Sequence, residues 1–332
     1  MTVQSAAARA GANIALVKYW GKRDARLNLP AAGSISVTLS ALVTETRLDV
    51  IGGGALTPSS SLADELYVNG QPAAPERVSA VLDLMRQLAG GGPAFRVESR
   101  NNFPTGAGLA SSASAFAALV VAADRALNLS LPPSRLSELA RRGSGSAARS
   151  IFGGFVEMLP GHAADGSDAV ARPLTSVEDW PLEVVVAITE TGPKAVSSTD
   201  GMNLTMRTSP YYPAWVESVA ADLDTARQAI ADRDFERLAE VGESSALKMH
   251  ASALAAQPGL IYWNPATLAC MQAIRELRAA GTGAFFTVDA GPQVKAICLP
   301  EAAAVVSARL AEIPGVARVV GSGLGQGAEV QA

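Results

Sequence analysis

Residues 101–116 read NNFPTGAGLASSASAF and run into an apolar stretch ending near Leu127. One proline, two glycines and three serines are more than a turn requires. A glycine-rich loop entering a helix lines up backbone N–H groups with the positive end of the helix dipole, a physical seat for phosphate. Pro104 fixes the entry, Gly106 and Gly108 let the chain approach an anion closely, and Ser111 and Ser112 add hydroxyl donors or a magnesium ligand. The same residues also read as an ordinary capped helix packed through small side chains. No GxxxxGK[ST] motif occurs anywhere in the chain, which argues against the P-loop fold.

Bulk properties narrow the partners. The 332 residues exceed what one core usually organises, so one large domain or two lobes is expected. Hydrophobic residues make up 48% and charged residues only 17%, the balance of a globular protein and not a disordered one. The formal charge of −4 argues against a nucleic-acid or anionic-membrane surface, so an anionic substrate must be held by a few local cations. Cys270 and Cys298 are isolated, without zinc spacing or a disulfide framework, and read as buried thiols. MTVQSAAARAGANIAL lacks the pattern of a secretory signal, and no apolar run spans a bilayer. A cytoplasmic location is expected.

Alternating or β-branched runs dominate the first part: ARAGANIALVKYW, SISVTLSALVTETRLDVI, ELYVNG and FRVES read as strands. Helical spacing appears at 76–89, 109–127 and 133–142, followed by the strands GGFVEMLP and LEVVVAIT. Beyond residue 180 the helices 196–206, 210–232, 234–250, 265–280 and 300–312 are expected, with AFFTVDA, VKAICLP and ARVVGSG as strands. This mixed order predicts an α+β protein of two lobes and not a regular βαβ series.

Three further clusters carry chemistry-bearing side chains. In RRGSGSAARSIFGGF (141–155), Ser144 and Ser146 flank Gly145. If a helix starts here, Ser146 and Arg149 share a face and the arginine fork suits a carboxylate or phosphate. The alternative is a surface turn. In NIALVKYWGKRD (13–24), a turn at Gly21 brings Lys18 near Lys22, although a lysine at a strand end usually faces solvent. In FFTVDAGPQVK (285–295), Asp289 reads as a turn-former or as a buried catalytic carboxylate. His162 lies in a polar loop, and His250 is expected at a helix end, where imidazolium meets the C-terminal dipole. Neither has partners suggesting a metal site or a triad, which disfavours a serine hydrolase.

Taken in order, NIALVKYWGKRD, SISVTL, NNFPTGAGLASSAS, RRGSGSAARSIFGGFVE, SSTDGM, RTSPYY and VDAGPQVK resemble the diphosphomevalonate decarboxylases. These are relatives of galactokinase and of homoserine, mevalonate and phosphomevalonate kinases. The resemblance covers nearly the whole chain. It implies a two-lobed small-molecule kinase-superfamily fold, with a ribosomal protein S5 domain 2-like nucleotide-binding lobe at 1–178. A ferredoxin-like α/β lobe at 179–332 closes the substrate site. It also implies ATP and Mg2+ as cofactors, and 3-phosphorylation of (R)-5-diphosphomevalonate followed by loss of phosphate and carbon dioxide to give isopentenyl diphosphate. The alternatives are a phosphomevalonate decarboxylase giving isopentenyl phosphate, and a mevalonate-type kinase without decarboxylation. A homodimer is expected.

Carried over by motif, Asp289, Lys18 and Arg149 are the catalytic residues: the carboxylate near the 3-hydroxyl, a cation near the reacting centre and the clamp on the C1 carboxylate. Tyr19, Lys22, Ser144, Gly145 and Ser146 match positions around the diphosphate, and Asn13 a polar contact. Pro104, Gly106, Gly108, Leu109, Ala110, Ser111 and Ser112 form the ATP phosphate cradle, with Ser112 as the magnesium link. Retention of Lys22 favours the diphosphate over the monophosphate. Two departures from the family pattern, Ala31-Ala32-Gly33 before SIS and Gln293 after DAGP, are expected to reshape the pocket.

Overall fold

The structure is a computed structural model that describes residues 4–51, 63–103, 111–190, 192 and 195–331. Residues 4–103 supply β1 (Ser5–Val17), β2 (Lys22–Asp24), β3 (Leu29–Pro30), β4 (Ser34–Ile51), β5 (Glu65–Val68), β6 (Gln71–Ala73), α1 (Glu76–Leu88) and β7 (Ala94–Asn101). Then come α2 (Ser111–Leu127), α3 (Pro133–Gly143), a 3₁₀ helix (Gly145–Ile151), β8 (Phe155–Met158) and β9 (Ala171–Thr175). The second half carries β10 (Glu183–Ile188), α4 (Ser198–Thr208), α5 (Tyr212–Asp232), α6 (Phe235–Leu254) and α7 (Pro265–Ala279). It ends with β11 (Ala284–Val288), β12 (Val294–Cys298), α8 (Ala303–Ala311), β13 (Arg318–Gly323) and β14 (Glu329–Gln331).

Two sheets organise most of these elements, and β2 pairs with β3 in a separate two-stranded ribbon. The larger has eight strands in the order β14-β1-β4-β7-β5-β6, with β8 on β4 and β9 on β8. β4 serves two neighbours along its length: Ser34–Val37 pairs with β8, and Thr44–Ile51 pairs with β7. Its sequence explains the division. SISVTL is buried throughout, whereas VTETRLDV alternates buried and more exposed positions, as a strand with one solvated face must. The smaller sheet is antiparallel in the order β11-β12-β10-β13. After β13 the chain returns, and β14 pairs antiparallel with β1.

Four apolar clusters result, the smallest around Leu29, Val156 and Met158. One joins α1, α2 and α3 to the large sheet, with buried alanines at 117, 118, 122 and 123 letting α2 lie close to it. Another fills the outer face of the small sheet beneath α7 and α8. The largest belongs to both sheets: Ile14, Leu16 and Val37 pack in one cluster with Val184, Val186 and Phe285 and with Trp215 and Val219 of α5. This shared core fixes the lobes relative to one another, since each fully buried large apolar side chain contributes roughly 1.5–3 kcal/mol. A fully buried carboxylate pins the same junction. Glu157 on β8 accepts from Arg172 of β9 at 2.9 Å on one oxygen and from Arg227 of α5 at 2.6 Å on the other.

Most expected elements are present within a few residues of their predicted bounds. His250 is the clear exception. α6 runs on to Leu254, so His250 sits inside the helix and is buried instead of capping its end. Among the described residues no helix is long and apolar enough to cross a membrane.

Arg227→Met keeps the stem of the side chain but removes one partner of Glu157. It is expected to lower stability by about 2 kcal/mol, the scale of a hydrogen bond to a charged group. Urea denaturation reads this, and an unchanged midpoint would show that the lobes are held without the pair.

Candidate active site

β1 and β4 cross closely enough that a Cβ at Gly11 would overlap the carbonyl oxygen of Leu39. Bulges interrupt their register between Gly11 and Asn13 and again between Ala15 and Val17. Bulges re-aim side chains, and these two bracket the segment that delivers Asn13 and then Lys18. Lys18 follows the last residue of β1 and is almost wholly buried, so the solvent-facing reading of a strand-end lysine does not hold here. Its backbone N–H donates to Ser245 of α6, and its ammonium donates to Ala15 O at 2.8 Å and to Asp289 Oδ1 at 2.6 Å.

Asp289 opens the turn between β11 and β12, which bears out the turn reading, and its carboxylate is half-buried, with 24% of the side chain exposed. The turn is tied down on two sides. Thr267, in the capping box of α7, donates to Pro292 O at 2.7 Å, and the side chain of Gln293 takes the N–H of Thr189 and donates to Glu190 O. Gln293 is fully buried and does not line the cavity, and neither do Ala31, Ala32 and Gly33. The expected effect of both departures on the pocket wall is therefore not seen. Gln293 braces the loop that leads to α4 instead.

Arg149 lies in the 3₁₀ helix Gly145–Ile151, whose three-residue repeat keeps Ser146 and Arg149 on one side. The arginine is buried, which rules out the surface-turn reading. Its guanidinium donates to Ser36 Oγ at 2.9 Å, Ser34 Oγ at 2.6 Å and Asn13 Oδ1 at 3.1 Å. All three partners are neutral, and among the described residues no carboxylate lies within ion-pair distance. A buried cation solvated only by hydroxyls and an amide is poised for an anion, because burying a charge unpaired is otherwise costly.

A cavity of about 740 Å³ opens beside these groups. Among the described residues the side chains facing it include four cations, Lys22, Arg77, Arg142 and Arg149, and a single carboxylate, Asp289. Ser144, Gly145 and Ser146 form part of its wall, as do Ser111 and Ser112 of α2. The Ser112 and Ser144 hydroxyls lie 3.2 Å apart, and those of Ser144 and Ser146 3.3 Å apart. A Cβ at Gly145 would overlap the Tyr19 hydroxyl, so only glycine lets the phenol reach this wall. That hydroxyl is buried without a hydrogen-bond partner among the described residues, an orphan polar atom beside a cationic cavity. Ser197, Ser198 and Thr199, at the N-terminal end of α4, close the far side.

Burial lowers the Lys18 ammonium to about 8, against the opposing pull of Asp289. Burial likewise lowers Arg149, to about 10, and desolvation lowers Lys22. For Asp289 burial acts upward, but the charges of Lys18 and Lys295 outweigh it and hold the carboxyl well below the ordinary range. His250 is pushed down to about 3, chiefly by burial, and is neutral, the reverse of the imidazolium expected at a helix end.

The structure thus brings Lys18, Arg149, Asp289, Asn13, Tyr19, Lys22, Ser144, Gly145, Ser146, Ser111 and Ser112 to one region. Pro104, Gly106, Gly108, Leu109 and Ala110 lie outside the described residues. Motif reading missed Ser34, Ser36, Arg77, Arg142 and Lys295. Two of these had a signal in SISVTL, where Ser34 and Ser36 alternate onto one face, and Lys295 had one as a lone charge inside an apolar strand.

Two lobes meeting at a cavity with cationic walls and a serine-lined helix start define the small-molecule kinase superfamily fold. The sequence matches the profile of the diphosphomevalonate decarboxylase-like N-terminal domain over residues 10–171 and that of the mevalonate 5-diphosphate decarboxylase C-terminal domain over 184–317. It is 38% identical to the diphosphomevalonate decarboxylase of Aspergillus fumigatus over 333 residues, spanning 95% of this chain and 81% of that protein. The crystal structure of mevalonate diphosphate decarboxylase from Staphylococcus aureus superposes with a TM-score of 0.90 at 39% identity, over 99% of this chain and 98% of that one. Another solved structure, MDDEF in complex with MVAPP, AMPPCP and magnesium, gives a TM-score of 0.88 at 39% identity over 99% of each chain. The chain belongs to the diphosphomevalonate decarboxylase family.

A buried ammonium with a proton affinity near 8 sets an alkaline limit. Activity measured as kcat/KM is expected to fall above about pH 8 as Lys18 loses its proton. The limb for kcat lies higher, because bound anions hold the proton on. A pH–rate profile that stays level to pH 10 would contradict the burial of Lys18.

Proposed function

We propose that this chain catalyses the ATP-dependent decarboxylation of (R)-5-diphosphomevalonate to isopentenyl diphosphate, ADP, phosphate and carbon dioxide. The observation that carries the reading is Arg149, a buried guanidinium whose protein partners are all neutral, facing a cavity to which the described residues contribute one carboxylate. A substrate carboxylate completes that cation, and membership of the decarboxylase family favours release of this carboxylate over phosphorylation alone. The family's solved complex with MVAPP, AMPPCP and magnesium supports the same ligands here.

The residues then divide the work. Arg149 takes the C1 carboxylate and sets the bond to be broken. Tyr19, Lys22, Ser144 and Ser146 surround the diphosphate, which supplies the partner the Tyr19 hydroxyl lacks. Asp289 accepts a hydrogen bond from the tertiary 3-hydroxyl and aims its oxygen at the γ-phosphoryl group. Because its carboxyl is held well below the ordinary range, it stays ionised and acts mainly by orientation and fixed charge, and the hydroxyl proton leaves late onto an oxygen of the transferred phosphoryl group. That is what a loose phosphoryl-transfer transition state asks of the protein. When the new phosphate leaves C3, the same anion opposes the positive charge growing there. The C1–C2 electron pair becomes the new double bond to C3, and carbon dioxide departs. Lys18 offsets the crowded anions.

Magnesium bound with ATP screens charge on the phosphates, and Ser112, whose hydroxyl faces the cavity, would hold it together with the nucleotide. An adjoining apolar cavity of about 220 Å³, lined by Leu66, Val97, Phe116 and Leu119 and sharing Ser111 and Ser112 with the main one, suits a purine ring. The lobe at 1–178 is assigned to nucleotide binding, and the lobe at 179–332 brings Asp289 to the substrate. A cytoplasmic homodimer completes the proposal and rests on the family resemblance. Light scattering tests its mass.

Incubation with Mg-ATP and either diphosphomevalonate or phosphomevalonate, with ADP and carbon dioxide measured in parallel, tests the reaction. Equal ADP and carbon dioxide with the diphosphate is expected. ADP alone would mean a kinase, and turnover only with the monophosphate would identify the other decarboxylase. Asp289→Asn is expected to lower kcat by about 10²–10³-fold with nucleotide still bound. Arg149→Lys, which keeps charge but loses the planar fork, is expected to slow carbon dioxide release by about 10²-fold.

A further inference from the structure

We infer that Lys295 is a positioning residue for the reaction, holding the Asp289 carboxylate from the side opposite Lys18. The chain carries 27 lysines and arginines, of which only five are lysines. Two of those five, Lys18 and Lys295, are buried against the same carboxylate. Lys18 meets Asp289 Oδ1 at 2.6 Å, and Lys295 meets Oδ2 at 3.2 Å. Both lysine side chains are almost wholly shielded, while Asp289 keeps 24% of its side-chain surface open.

Lys295 lies in the middle of β12, opposite Thr287 on β11 and Val186 on β10. Strand alternation puts it on the inner sheet face with Ile297, Phe285 and Val186, members of the core shared by the two lobes. Stability alone gives little reason for a full charge there, because an apolar side chain of the same volume packs such a face as well or better. Three effects follow from the second ammonium. Its attraction for Oδ2 opposes rotation of the carboxylate, whose other oxygen is hydrogen-bonded to Lys18. It keeps the carboxyl ionised, acting in the same direction as Lys18. It also repels the Lys18 proton, acting in the same direction as burial and Arg149. The groups facing this centre are Lys18 after β1, Lys295 on β12, Arg149 on the 3₁₀ helix and neutral His250 on α6, bonded to the backbone beside Asp289.

The inference rests on the proposed reaction, and its test separates the two. Lys295→Met and Lys295→Gln are compared with the wild-type protein and with Lys295→Arg. Loss of the charge is expected to lower kcat tenfold or more and to move the alkaline limb of the pH–kcat/KM profile upward by about one pH unit, because Lys18 holds its proton longer. Lys295→Arg is expected to keep that limb near its wild-type place.

Lysine-selective 13C labelling gives five side-chain signals, and the one lost in Lys18→Met identifies Lys18. Its midpoint should rise in both neutral variants, a measurement that needs no turnover. If the wild-type protein releases no carbon dioxide, the proposed reaction fails while the Lys18 titration still decides the pairing. An alkaline limb and a Lys18 midpoint that stay in place in both neutral variants would overturn the inference. So would failure of both neutral variants to fold while Lys295→Arg folds with an unshifted Lys18 signal and wild-type kcat, because the lysine would then be structural.

Discussion

The contact between Lys18 and Asp289 joins the end of the first strand to a turn 271 residues later, and much of the fold can be understood as holding it. On one side, two bulges in β1 and the Ser245 contact from α6 set where the ammonium emerges. On the other, the α7 capping box and Gln293 fix the turn that carries the carboxylate. The apolar core shared by both sheets shields the lysine of the pair, while the carboxylate keeps an open edge on the cavity. Buried ion pairs of this kind stabilise a fold weakly, because desolvation offsets much of the attraction. Their value lies in a fixed field at the place where charge develops.

Electrostatic balance explains why the cavity takes anions in a chain with a net negative charge. Acidic residues elsewhere lower the overall charge to −4, yet the cavity concentrates cations against one carboxylate. Arg149 carries this furthest, with hydroxyls and an amide where a surface arginine would have water or a carboxylate. Such a group stays poised because the three short side chains around it, Ser34, Ser36 and Asn13, are themselves buried in β4 and β1. The same arrangement accounts for Gly145, since the phenol of Tyr19 occupies the space any side chain there would need.

Periodicity located most of the helices and strands, and the quoted motifs carried the family. Individual side-chain states were harder to read. Lys18 looks like a solvated strand-end lysine until α6 and the β11–β12 turn cover it. His250 looks like a helix terminus because ASAL continues the helix without an obvious signal, and its neutrality comes from burial, with Trp263 packed 4.6 Å away. Lys295 stands three residues after Pro292 in a motif already noted, but nothing local says which face of the strand turns inward. Ser34 and Ser36 had the right alternation, and only the approach of the 3₁₀ helix shows what they hold.

The order and type of the elements, the family and the chemical kinds gathered in its motifs belong to the sequence by itself, because periodicity and short-range spacing are local properties of the chain. The tertiary structure decided which charges are buried, which oxygen faces which ammonium, and which cation was left without a carboxylate. Those properties depend on distances between residues remote in sequence and on the water excluded between them. Neither distance nor dielectric is written into any single segment.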